Sequence, residues 1–367
     1  MNKLYFIIIS IFYMLSLSAY NVSHINNNSN NYTKIRPITI VEDGQAIIKK
    51  GVFWPGCYYN ESVSDHAPVI YKNSNLATYN ISAPLSHFLI QSHNPFLNHK
   101  FHTDDKGSLI NKNGSNAGFL GHSEVVLLKP SANGKKGYAA ITNVYIARMK
   151  KLFQVIKNIF INNPEINHLL LQEVPGQEEK TLGNENIHDL LREILNSANA
   201  NLSITFFDAK ISKKIATKVQ QEGSYKSNLT PDVALISRSQ SPLLSQTNIA
   251  DYDSRFVPFC NKNTKECYIS AHMPSSFSKK ELQTRCGDLK NIIHILVNKG
   301  YKNINIAGDF NTSAQRIAKA CAKILPIKNF NITIHTTKNG IGNSCKDNNG
   351  NITSKNIDIM IKYQSRL

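Results

Sequence analysis

The stretch that most constrains this chain is Ser64-Asp65-His66-Ala67-Pro68, because the residues after it fix its surroundings. Val63 to Tyr71 and Leu76 to Ile81 read as short extended runs, and Lys72-Asn73-Ser74-Asn75 between them supplies the Asn and Ser that suit a tight turn. The pattern predicts a β-hairpin. Folded that way, Asp65 and His66 at the start of one strand stand near Asn80 at the end of the other.

Two more apolar runs end on acids. Met149, Leu152, Phe153, Ile156, Ile159 and Phe160 recur at helical spacing, and after Asn163-Pro164 the run His168-Leu169-Leu170-Leu171-Gln172-Glu173 reads as a buried strand that delivers Glu173 at its end. A glutamate there is costly to leave unpaired, so a metal or a cation must accompany it; a salt bridge to a nearby Lys would also serve. Ser278-Lys279-Lys280-Glu281 is a capping box opening a helix with Leu282, Cys286, Leu289, Ile292, Ile293 and Leu296 on one face. The next strand, Asn303 to Ala307, runs straight into Gly308-Asp309-Phe310-Asn311. Asp309 and Asn311, two apart at a strand end, can point the same way.

Leu171-Gln172-Glu173-Val174, Ile306-Ala307-Gly308-Asp309-Phe310-Asn311 and Ser64-Asp65-His66-Ala67-Pro68 together resemble the signature motifs of the endonuclease/exonuclease/phosphatase superfamily of metal-dependent phosphoesterases. In that family the Ser-Asp-His element comes last, and here it comes first. The resemblance therefore implies a circularly permuted deoxyribonuclease I-like fold of the α/β class: a four-layered α/β sandwich of two mixed β-sheets flanked by helices. Pro68 to Tyr71 would be the old last strand and Leu76 to Ile81 the old first one, so a short turn joins the old ends.

The same resemblance implies roles. Glu173 would be a metal ligand, with Asp65 and Asn80 as further direct or water-mediated contacts, and such oxygen donors suit Mg²⁺ or Mn²⁺ rather than zinc. Asp309 would orient or deprotonate the attacking water, Asn311 and His272 would contact the phosphate, and His66 would be the general acid/base with its ring held by Asp358. The family's mid-chain arginine or tyrosine has two candidates, Tyr225 and Arg238. The family also usually has a much shorter connection where residues 81–144 stand, so this stretch, with His87, His93, His99, His102 and His122, reads as an inserted surface region.

Met1-Asn2-Lys3, the apolar run Leu4 to Leu15 and Ser16 to Ala19 read as a secretory signal over residues 1–19, and 20–34 as a flexible Asn-rich leader. A single catalytic domain over 35–367 is then the simplest organisation. Export makes disulfides the expected state of the cysteines. Cys260 and Cys267 flank a polar turn between two strands, and Cys321 and Cys345 bracket a segment where deoxyribonuclease I also carries a bridge, which leaves Cys57 and Cys286. The net charge of +17, from 42 Lys and Arg against 25 Asp and Glu, attracts polyanions.

The expected function is that of a secreted Mg²⁺-dependent nuclease acting on nucleic acid, DNA first. A phosphoesterase acting on phospholipid or inositol phosphate would use the same metal site, and an inactive binding protein on this scaffold is the reading from another class. No obligate protein partner is evident in the sequence.

Overall fold

A computed structural model describes residues 38–47, 66–81, 101–103, 109–111, 150–174, 187–197, 201–207, 233–238, 245–247, 255–273, 278–337, 343–346, 352–355 and 357–366. The expected signal and leader, Asp65, Tyr225, Cys57 and all of 81–144 except Ile81 and two short strands lie outside these residues.

The protein is a mixed α/β structure in which one 12-stranded sheet dominates. Its strands in chain order are β1 (Thr39–Ala46), β2 (Val69–Tyr71), β3 (Leu76–Asn80), β6 (His168–Gln172), β7 (Leu202–Phe206), β8 (Val233–Arg238), β9 (Ser245–Gln246), β10 (Phe256–Asn261), β11 (Glu266–His272), β12 (Asn303–Asp309), β13 (Phe330–Thr337) and β16 (Asp358–Ser365). They are ordered β7-β8-β6-β3-β2-β1-β13-β16-β12-β11-β10-β9. Two separate hairpins, β4 (Phe101–Thr103) with β5 (Leu109–Asn111) and β14 (Asn343–Lys346) with β15 (Ile352–Lys355), complete the strands among the described residues. The helices are α1 (residues 150–162), α2 (Ile187–Asn196), α3 (Lys279–Asn298) and α4 (Ala314–Cys321).

The expected hairpin is present: β2 pairs antiparallel with β3 across the turn Lys72–Ser74, and Asn75 closes it in the left-handed conformation that asparagine tolerates. Its fully buried residues, with Ile81 and the run Leu169 to Leu171, fill the centre of one half-sheet. The other half is built on Ile304, Ile306, Ile332, Ile334, Ile359 and Ile361, against which α3 lays the apolar face its sequence spacing predicts. Both hydrogen bonds of the capping box form, between Ser278 and Glu281.

The sequence pattern leads to two sheets, whereas the backbone ladder is continuous. Strand β1 makes the join, pairing parallel with β13 from Thr39 to Gly44, with an irregularity between Val41 and Gly44, and then antiparallel with β2 over Gln45 and Ala46. A Cβ at Gly44 would stand 2.8 Å from the Tyr71 ring and 3.0 Å from the Thr336 carbonyl, so only glycine allows this crossing. The two halves then face each other: the Gln172 amide of β6 reaches the Ser270 hydroxyl of β11, in the opposite half, at 3.0 Å.

Cys260 and Cys267 are joined, directly across the β10–β11 pair. Cys321 is joined to Cys286 and not to Cys345, with Cα atoms 6.1 Å apart. The buried faces of α3 and α4 meet, which puts Cys286 opposite Cys321 and removes both from the pairings read from the sequence.

Candidate functional site

The candidate residues collect at one end of the facing half-sheets because the register there is tightly fixed. Parallel pairing of β11 with β12 sets His272 opposite Asp309, and antiparallel pairing of β12 with β16 sets Asp358 opposite the same Asp309. Across the interior, β3 and β6 end together at Asn80 and Gln172. Gly308 permits the close packing of β11 on β12, since a Cβ there would stand 1.9 Å from the Ala271 carbonyl oxygen.

His66 is buried beside β16, and its Nδ1 lies 2.8 Å from Asp358 Oδ2 although the two are 292 positions apart in sequence. Its other nitrogen, Nε2, is 3.7 Å from Asp309 Oδ2. The Asn80 amide donates both to Asp309 Oδ2, at 3.1 Å, and to Glu173 Oε1, at 3.2 Å. The same Glu173 oxygen stands 3.2 Å from His272 Nε2. Asn311 closes the other side: its backbone N–H donates to Asp309 Oδ1 at 2.7 Å, and its side-chain amide donates to Asp309 Oδ2 and to the Met273 carbonyl.

Two of these residues occupy left-handed backbone, Glu173 at φ 53° and Asn311 at φ 48°. Strand alternation would send Gln172 and Glu173 to opposite faces, yet both reach inward to β11, and the turn at Glu173 accounts for this. Such a conformation is uncommon for glutamate and is held only where the surroundings over-determine it. Asn311 lies past the end of β12 and not on it, so its amide returns to Asp309 through a tight turn instead of the strand-mate geometry that the spacing predicts.

Electrostatics single out Asp309. Burial raises its carboxyl to about 6; the neighbouring Asp358 charge adds to the rise, and His66 and His272 oppose it. Tyr71, whose hydroxyl donates to the Asp358 backbone carbonyl at 3.0 Å, is pushed well above the ordinary phenol range by burial, then by Asp358 and Asp43. It stays protonated and pins the strand that carries Asp358.

Of the sequence-predicted site residues, the structure gathers His66, Asn80, Glu173, His272, Asp309, Asn311 and Asp358 into one cluster; Asp65 lies outside the described residues. Arg238 does not join them. It follows Ser237, which pairs with His168 at the far end of β6, and it donates to the carbonyls of Phe160, Asn163 and Ile166, closing the end of α1. Its role is therefore structural. Gly308 and Gln172 lie inside the motifs but no role is read for them there, and Tyr71, Thr78 and Ser270 lie outside any motif, although Thr78 and Ser270 each sit two positions before a site residue on the same strand face.

No group of three or more His, Cys, Asp or Glu side chains among the described residues is spaced to hold a metal ion by itself. The Glu173 carboxylate nevertheless fits a small hard cation, which takes one or two carboxylates and keeps several waters, while Asn80 turns its amide nitrogen to that carboxylate.

No family model and no curated protein matches the sequence. Solved structures do. The chain is similar to truncated Caenorhabditis elegans TDP2, at 11% identity over 60% of this chain and 78% of that one, with a TM-score of 0.33. It is similar to the human Nocturnin catalytic domain with bound sulfate anion, at 16% identity over 59% and 74%, with a TM-score of 0.31. It is also similar to CdtB, the biologically active subunit of cytolethal distending toxin, at 13% identity over 55% and 73%, with a TM-score of 0.30.

Proposed function

We propose that this chain is an exported, divalent-cation-dependent phosphodiesterase of the endonuclease/exonuclease/phosphatase superfamily, acting as a nuclease on DNA and built as a circularly permuted four-layered sandwich. One observation carries the reading. Side chains from distant parts of the sequence, including His66 and Asp358 at a separation of 292, meet within hydrogen-bond distance in the set that the motif resemblance implies. The permutation is supported by the β2–β3 hairpin, in which only the four residues Lys72 to Asn75 join the strands and His66 is brought to the same end as Asn80. Export is supported by the apolar N-terminal run and by two disulfides, which suit an oxidising compartment.

Glu173 and Asn80, with Asp65, would hold Mg²⁺ or Mn²⁺, which when bound neutralises charge on the phosphate. Asp309, with a carboxyl near 6, is a fitting acceptor for a proton from the attacking water close to neutrality. Asp358 accepts from His66 Nδ1 and so holds Nε2 toward the interior of the site, where it can pass a proton to the oxygen that leaves phosphorus. His272 and the Asn311 amide are placed to hold the phosphoryl oxygens. The net charge of +17 draws a polyanion to the site, and binding should weaken steeply with salt.

The test is a panel of plasmid DNA, RNA, sphingomyelin and phosphoinositides with Mg²⁺. Cleavage of DNA is expected. Hydrolysis confined to the lipids would move the substrate to membranes, and no hydrolysis of any of the four would overturn the enzymatic reading.

A further inference from the structure

We propose that Gln172 is a positioning residue: a cross-sheet strut that sets the separation between the Glu173–Asn80 half of the cluster and the His272–Asp309 half. The inference rests on the phosphodiesterase reading for its catalytic consequence, but the strut itself is a matter of geometry.

The interior of a facing pair of half-sheets is ordinarily filled by apolar side chains, and here Leu76, Leu170, Val257 and Phe259 do that further from the site. One layer behind the cluster the filling changes. Thr78, Gln172 and Ser270 are all fully buried. Gln172 Oε1 accepts from the Thr78 hydroxyl at 3.1 Å, its amide nitrogen donates to the Ser270 hydroxyl at 3.0 Å, and Ser270 donates onward to the Leu171 carbonyl at 3.4 Å. Burying an amide is costly unless both its ends are paired, and this one is paired at both.

Each member stands directly behind a residue of the cluster. Thr78 precedes Asn80 by two on β3, Ser270 precedes His272 by two on β11, and Gln172 is joined to Glu173 through the left-handed turn. The row therefore repeats, one step deeper, the cross-sheet contact made at the site between Glu173 and His272. Apolar packing tolerates sliding of one sheet over another, whereas two directional bonds fix both the gap and the register. No other side chain of that length is a donor at one end and an acceptor at the other: methionine supplies neither bond, and glutamate turns an acceptor toward Ser270 and buries a charge. Catalytic sites are sensitive to displacements of about 1 Å, each worth up to about 10²-fold in rate.

The experiment compares wild type with Gln172→Met in the full chain, by crystal structure and by steady-state kinetics on plasmid DNA with Mg²⁺ at a temperature where thermal melts show both folded. The expected result is a Glu173–His272 separation beyond about 3.5 Å together with a kcat lowered roughly 10- to 100-fold and an unchanged KM. Adding Ser270→Ala to Gln172→Met should cost less than Ser270→Ala costs alone, because the Gln172–Ser270 bond is already gone and only the 3.4 Å bond from Ser270 to the Leu171 carbonyl is left to lose. Unchanged spacing overturns the proposal, whatever the rate; widened spacing with normal kcat overturns it too, as does a loss seen only in melting temperature. If Gln172→Met does not fold, Ser270→Ala alone is measured by the same criteria. A wild type that cleaves no phosphodiester would defeat the functional reading, and the crystallographic spacing would then decide on the strut by itself.

Discussion

His66 and His168 are both buried histidines, 4% and 3% exposed, and they stand at opposite ends of the same half-sheet. Burial alone would make them alike, since it penalises the charged imidazole in both. Their partners make them different. His66 has Asp358 at 2.8 Å on one nitrogen and Asp309 at 3.7 Å from the other, so it sits between two carboxylates that can hold and exchange a proton. His168 has the Ser237 hydroxyl at 3.0 Å and the Tyr268 ring at 4.5 Å, no carboxylate partner among the described residues, and a pKa lowered to about 4 by burial. In the proposed mechanism, the carboxylates that face His66 are what make a buried histidine an acid/base. The far end of the sheet shows what the fold does with the same residue when it needs only packing.

The contrast is sharpest in paired variants. His66→Ala should lower the plasmid-nicking rate by about 10² to 10⁴, the usual worth of a positioned proton-transfer group, with DNA binding retained. His168→Ala should leave the rate of the folded protein within about threefold of wild type and act on stability instead. Equal losses of rate in both would erase the distinction.

The next effect belongs to the packing end. The pKa of His168 is lowered in the folded state, so the unfolded chain takes up a proton that the folded protein refuses. The stability it contributes is complete above about 6.5 and is lost as pH falls from there toward about 4, by as much as about 3 kcal/mol. Urea melts of wild type and His168→Leu across that window check it: the wild-type curve should fall more steeply with acid, and parallel curves would contradict the assignment.

Asp358→Asn should be milder than His66→Ala, a loss on the order of 10-fold to 10², because the imidazole stays but its orientation and charge partner change. Nicking rates of the two variants, measured together, order the effects. A larger loss for Asp358→Asn would make the carboxylate, and not the histidine, the group that moves the proton.

Much of this site is legible in the chain. Asn80, Glu173, His272, Asp309 and Asn311 each close or follow a run whose apolar pattern marks a strand, His66 and Asp358 precede or open one, and motif order then places them at one end of the fold. Helix α3 is equally legible, because its cap and its 3.6-residue stripe are local signals. What escaped depends on long-range partners. Strand β1 is mostly half-exposed and lacks a strong alternating pattern, so nothing local announces that it joins the half-sheets. The Cys286–Cys321 bridge follows from how two helices pack, which cysteine spacing does not encode. Arg238 looks like a site residue by position in the chain, and only the β6–β8 register sends it to the opposite end.

The most direct test of the central claim, that this cluster is a divalent-cation-dependent phosphodiesterase site, is plasmid nicking by the wild-type protein in excess chelator and after adding back Mg²⁺ or Mn²⁺. Nicking should vanish in chelator, return with either ion, and fail to return for His66→Ala. Undiminished nicking in excess chelator, or full recovery by His66→Ala, would contradict it.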